Sequence, residues 1–267
     1  MIFALAFLIL IEQQSPGLTP SVKSAFVTTY DEQLALRDTL FTYPLTQTPS
    51  AAVVDGDDVI LAEGQQLVRH DRFGAATKIG LPLDGYPAAM AFGERHDLFV
   101  ALAGEIERVD PVSGAVIRRI DIGGSPYDFD LDADGCVAYL AFFDRLARAD
   151  LCADVPKLGT LAEGEFTAVR ILPNGRLLAA SRGSLEARGR DGALLLRYAV
   201  PATKLALDPS GTTAIIFADV VLRRVDLATG YVIAGPVEQQ RGIYVRGMAL
   251  TGEWRAASPR RRRASHP

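Results

Sequence analysis

The feature that most constrains this chain is a phrase that recurs about every 40 residues. It consists of an apolar strand, a Gly or Asp turn, a second apolar strand, a third ending in Asp, a turn with Gly, and a fourth strand. The clearest copy begins at Pro87. It runs through Ala88–Phe92, a turn at Gly93–His96, Asp97–Ala101, Ile106–Asp110, a turn at Pro111–Gly114, and Ala115–Ile120. Further copies open at Tyr127, Phe166 and Thr203, and an earlier one at Ala51. Their first turns fall at Gly56, near Arg95, and at Gly135, Gly175, Gly211 and Gly252. The strands are short, rich in Val, Ile, Leu, Ala and Phe, and punctuated by Gly, Pro and Asp. No segment has the apolar spacing of a long amphipathic helix.

A four-stranded sheet that is apolar on both faces cannot bury them alone. Stacking such sheets face to face buries a continuous core, and closing the stack into a ring removes the two exposed ends. The expected fold is therefore all-β, a β-propeller of about six four-stranded blades. The termini suggest how the ring closes. Ile243–Leu250 reads as a first strand with little after it. Ala25–Tyr30, Leu34–Arg37 and Leu40–Leu45 read as three strands with no first strand before them. One blade is thus expected to be split between the N- and C-termini.

The 267 residues are 49% hydrophobic and 22% charged, enough for one large all-β domain with a sizeable core. The net charge of −4 comes without a basic stripe in the body, so nucleic acid is not an expected partner. Arg260–Arg263 lie in a Ser- and Pro-containing end, and residues 259–267 read as a solvated basic tail. The apolar run Ile2–Ile11 is too short for a transmembrane helix but suits the centre of a secretory signal. No Lys or Arg precedes it, and a hydrophobic first strand is the alternative. The division expected is a signal-like or disordered segment over 1–22, a single propeller domain over 23–258, and the tail. Export to the periplasm or the extracellular space goes with the signal reading.

Val137–Phe142 and Leu146–Leu151 read as a hairpin that brings Cys136 nearly opposite position 152 or 153. A Cys136–Cys152 bridge is one reading, compatible with export; two unrelated buried thiols are the other.

The segment from Val109 to Pro126, with Asp110-Pro-Val-Ser-Gly114 followed by Ala-Val-Ile-Arg-Arg-Ile, resembles the linking phrase of YVTN-type propellers. Asp226-Leu-Ala-Thr-Gly230 echoes it. The resemblance implies a bacterial, commonly exported propeller, and it speaks to fold far more than to function. No Trp-Asp dipeptide closes a third strand as in WD40 repeats. The single Trp254 does not fit a quinone-cofactor propeller.

Chemistry is harder to find. His70, His96 and His266 read as surface residues, and Asn174 sits in an Asn-Gly turn rather than in a lactonase-like metal set. Asp128, Asp130, Asp132 and Asp134, closed by Gly135, match the start of a Ca²⁺ loop. The positions where that loop should close are Ala138 and Ala141, so a polar turn is the competing reading. Asp128 and Asp130 fall within a first strand that should line the central channel, where a buried carboxylate requires a partner. Arg170 and Lys204, at equivalent depth on the following blades, are the candidates for an inter-blade ion pair; a cation is the alternative. No catalytic residue is singled out. The expected function is that of an exported, monomeric binding module, engaging a protein, ligand or envelope component on one rim, with no cofactor. The alternative is a small-molecule hydrolase or lyase using channel acids and a divalent ion such as Ca²⁺.

Overall fold

The computed structural model describes residues 6–13, 24–30, 34, 36–44, 49–56, 58–71, 75–93, 95–181, 183–208, 210–238 and 243–251. The regular elements among them are all strands. The chain begins with β1 (Ala6–Gln13), β2 (Ser24–Tyr30) and β3 (Leu36–Pro44). Five sheets of consecutive strands follow. The first holds β4 (Pro49–Asp55), β5 (Asp58–Glu63), β6 (Gln66–His70) and β7 (Ala76–Ile79). The second holds β8 (Ala89–Phe92), β9 (Leu98–Ala101), β10 (Glu105–Val109) and β11 (Val116–Asp121). The third holds β12 (Asp128–Leu131), β13 (Val137–Ala141), β14 (Arg145–Asp150) and β15 (Leu158–Glu163). The fourth holds β16 (Phe166–Ile171), β17 (Leu177–Ser181), β18 (Ser184–Arg188) and β19 (Leu194–Tyr198). The fifth holds β20 (Lys204–Leu207), β21 (Thr213–Ala218), β22 (Val221–Asp226) and β23 (Val232–Glu238). Last comes β24 (Ile243–Thr251), which pairs antiparallel with β1 and completes a sixth sheet in the order β24-β1-β2-β3.

The first strands of the sheets touch in a cycle, β4 to β8, β12, β16, β20, β24 and back to β4. The fold is a β-propeller with these six strands around its axis. Its cores lie between successive sheets. Leu98, Val100 and Met90 meet Ile60, Ala62 and Leu67 of the preceding sheet. Phe129, Leu140 and Phe142 meet Phe99, Ile106 and Ile120 in the same way. Each fully buried Leu, Ile or Phe stabilises the stack by about 1.5–3 kcal/mol. Alanines such as Ala101, Ala147 and Ala180 let neighbouring sheets approach closely. The outer strands carry the exposed residues, Leu194, Leu195 and Leu196 of β19 among them.

The repeated Asp at the end of the third strand has a local cause. Asp110 Oδ1 accepts the N–H groups of Val112 and Ser113, both at 2.8 Å, and Asp226 Oδ1 accepts those of Ala228 and Thr229. Each carboxylate satisfies turn amides that the ladder leaves over. The amide hydrogen bonds to Asp110, and the Thr229 hydroxyl and amide on Asp226, hold both carboxyls below the usual carboxylate range.

Two expectations change. Part of the apolar run falls in β1, Ala6–Gln13, which pairs with β24. The three N-terminal strands are correspondingly 6–13, 24–30 and 36–44 rather than segments of 25–45. His70 is not a surface residue: it is 4% exposed, with Nε2 2.9 Å from Glu63 Oε1. Gly252, His266 and the tail 259–267 lie outside the described residues.

Candidate functional site

The first strand of each blade has a sheet neighbour on one side only, so half of its edge amides face away from the ladder. On β16 those amides find partners on β12. Asp128 Oδ2 accepts the Val169 N–H at 3.2 Å, and Asp130 Oδ2 accepts the Ile171 N–H at 2.7 Å. Asp128 Oδ2 also accepts from Arg170 Nη1 at 2.5 Å. The acids of β12 therefore stitch one inner strand to the next. Burial pushes the Asp130 carboxyl up, and the Arg170 charge and the Ile171 amide recover only part of that shift. Burial works against the Arg170 charge, but Asp128 and Asp130 together raise its pKa further above its ordinary value.

The residual exposure of the Arg170 side chain, 23%, is toward the channel. Asp128, Arg170 and Lys204 form one half of a belt, and Ala51, Ala89, Met90 and Met248 the other. The space enclosed at this level is about 30 Å³, room for roughly one water. Lys204 is itself not without a partner.

Above the belt, at the leading ends of the inner strands, the channel opens into a depression of about 420 Å³. Ser50, Pro87, Ala88, Tyr127, Glu165, Thr167, Thr203 and Lys204 line it, drawn from five of the sheets and the loops that lead into them. Tyr127 is 47% exposed there. These residues were not singled out from the sequence. The available signal was the repeat register, since Ala88, Tyr127 and Thr203 each immediately precede an inner strand.

The acidic stretch divides into separate tasks. Asp132 Oδ1 accepts the N–H groups of Cys136 at 3.0 Å and Val137 at 2.9 Å, capping the first turn, and Asp134 is exposed at its tip. Asp208 does the same work in the fifth sheet, accepting from Thr212 and Thr213, so an acid at this turn recurs. Among the described residues no group of three or more His, Cys, Asp or Glu side chains is placed to share a metal ion. Cys136 and Cys152 are joined by a disulfide, with Cα atoms 4.9 Å apart. His96 takes a left-handed conformation (φ 63°) at the place held by Gly135 and Gly175 in other blades. Its Nε2 lies 2.8 Å from Asp55 of the preceding sheet.

No family model matches the chain, and no curated protein matches it. Solved structures do. A functionally unknown protein from Desulfotomaculum acetoxidans superposes with a TM-score of 0.59 at 12% identity, over 88% of each chain. Hydrazine synthase from Kuenenia stuttgartiensis gives a TM-score of 0.56 at 17% identity, over 74% of this chain and 69% of that one. At such identities the likeness is one of fold, and it supports the propeller.

Proposed function

We propose that the chain is a binding module of the YVTN type, a six-bladed ring closed by the split β24–β1 blade, which holds its ligand in the depression at the channel mouth. The observation that carries this reading is the pairing of an open mouth of about 420 Å³ with a floor that leaves about 30 Å³ beneath it. The first volume lies in the range of small-molecule sites, roughly 300–1,000 Å³. The second leaves room for roughly one water at the belt, which supports reading the mouth as a cup rather than a passage. Asp128 and Asp130 are bonded to Arg170 and to the β16 amides, which supports a structural rather than a reactive use of the channel acids. The disulfide supports an oxidising compartment, in keeping with export.

The test is to fill the cup. The purified protein and its Ala88→Trp variant are incubated with a fractionated envelope extract and analysed by native mass spectrometry. A small ligand retained by the parent and lost by a variant with unchanged thermal unfolding upholds the reading. Retention by both would place the ligand elsewhere.

A further inference from the structure

We infer that the cup takes a neutral saccharide, laid with one ring face on Tyr127. This rests on the mouth being the binding surface, and it follows from which hydrogen-bonding groups the walls have left to offer. Thr203 Oγ1 donates its proton to the Phe217 carbonyl at 2.8 Å. Thr167 Oγ1 donates toward the Ala202 and Ala180 carbonyls, at 3.2 and 3.4 Å. Each hydroxyl has a single proton, so both threonines present lone pairs to the cup and accept from whatever enters. Glu165, which has a partner of its own, lies in the same lining.

The backbone leaves few donors. The N–H groups of Ala88, Tyr127 and Thr203 are each bonded at 2.8 Å to a carbonyl of the adjoining strand, respectively Ala101, Ala141 and Phe217. A phosphate or carboxylate ligand needs converging N–H groups of this kind, and here they are spent. The lining holds one acid and one base, Glu165 and Lys204, so its formal charges favour no ionic ligand of either sign. What remains favoured is a neutral molecule rich in hydroxyl donors. Its hydroxyls can donate to Thr167 and Thr203, and accept from the Tyr127 hydroxyl. The exposed ring of Tyr127 offers an apolar face for the C–H face of a pyranose. Ser50 Oγ, which lines the cup with no hydrogen-bond partner of its own, can take either role.

The test is ligand-observed NMR with four probes: cellobiose, N-acetylglucosamine, inorganic phosphate and 1,4-diaminobutane. At least one sugar should bind, with transfer strongest from its ring C–H protons. Tyr127→Ala should weaken that binding by about tenfold or more, and Tyr127→Phe should restore most of it. Thr203→Val should also weaken it, and the fold should tolerate this change because the Phe217 carbonyl keeps the Thr203 backbone N–H. Binding of phosphate or the diamine in place of the sugars, lost in Ala88→Trp, would overturn the saccharide and leave the cup standing as a site. Sugar binding indifferent to Tyr127, Thr203 and Ala88 would overturn both. If none of the four probes binds, the saccharide is overturned, and the extract experiment judges the cup by itself.

Discussion

Asp128 Oδ2 lies 2.5 Å from Arg170 Nη1 across the seam between the third and fourth sheets, and the same oxygen accepts the Val169 amide. Removing Asp128 takes away the acid hydrogen-bonded to Arg170, and removing Arg170 leaves the channel acids without their cation. Asp128→Ala is therefore expected to cost about 3 kcal/mol, the lower end for a broken buried pair, because the channel gives Arg170 some access to water. Arg170→Ala is expected to cost a similar amount, since it leaves both Asp128 and Asp130 uncompensated. The double variant should cost less than the sum by at least about 1 kcal/mol. Urea unfolding of the four proteins measures this, and strictly additive losses would mean that the pair is not coupled.

The Cys136–Cys152 bridge spans 16 residues of chain, and the loop it closes is tied to the previous blade by Arg118, which donates to the carbonyls of Leu151 and Ala153. A closed loop of that length stabilises by about 3 kcal/mol on the chain-entropy account. Cys136→Ser with Cys152→Ser should lower the unfolding free energy by about 2–3 kcal/mol and make the transition insensitive to dithiothreitol. An unchanged midpoint would show that the hairpin register alone holds the loop.

The propeller was legible because its punctuation is backbone chemistry. Gly135, Gly175 and Gly211 occupy left-handed turns, and Asp110 and Asp226 bond turn amides, so each blade marks its own corners in sequence. Where another residue solves the same problem the signal fades, as with His96 in the left-handed position. Ala6–Gln13 was ambiguous for a different reason. A short continuous apolar run looks alike as a secretory core and as a strand, and in the fold this one pairs with β24. The Asp128–Arg170 pair could be read from register because buried charges require partners. The cup could not, because Tyr127, Thr167 and Thr203 are ordinary residues until the ring brings them together.

The turn and calcium readings of Asp132 give different results in one experiment. As a turn cap that accepts two amides, Asp132 should cost about 1–2 kcal/mol when replaced by alanine, with Asn recovering part of the loss. The unfolding temperature of the parent should be the same in millimolar Ca²⁺ and in chelator. A rise of several degrees with Ca²⁺ would restore the calcium loop.

Stability should depend on pH through two acids of opposite sign. Burial raises the Asp208 carboxyl, but the hydrogen bonds from Thr213, Ser210 and Thr212 outweigh it and leave the group below its usual range. Its contribution is present above the ordinary carboxylate value and is lost as pH falls toward the folded one. Asp130 is raised, so between its ordinary and folded values the native state holds an extra proton, and stability declines as pH rises through that window. Unfolding measured from about pH 3 to about pH 8 should show both slopes. Asp208→Asn should flatten the acid side and Asp130→Asn the side toward neutrality; an unchanged profile in either variant would remove that residue from the account.

The leader and strand readings of the N-terminal apolar run differ in what its removal does. In the order β24-β1-β2-β3, β24 has β1 as its sheet neighbour, and β24 also fills the place between β20 and β4 in the inner ring. A leader can be removed without effect on the folded domain. A chain starting at residue 23 should instead lose the ladder that anchors β24, open the ring, and unfold at lower temperature with early proteolysis between β2 and β4. The converse variant guards against a trivial failure to express. A circular permutant joining residue 251 to residue 6 by a short Gly-Ser linker, and opened between β7 and β8, keeps every strand and makes the split blade continuous. It should fold and resist protease, because the order of strands around the ring is unchanged. If the truncated chain melts like the parent, β1 is dispensable and the apolar run returns to its reading as a secretory segment.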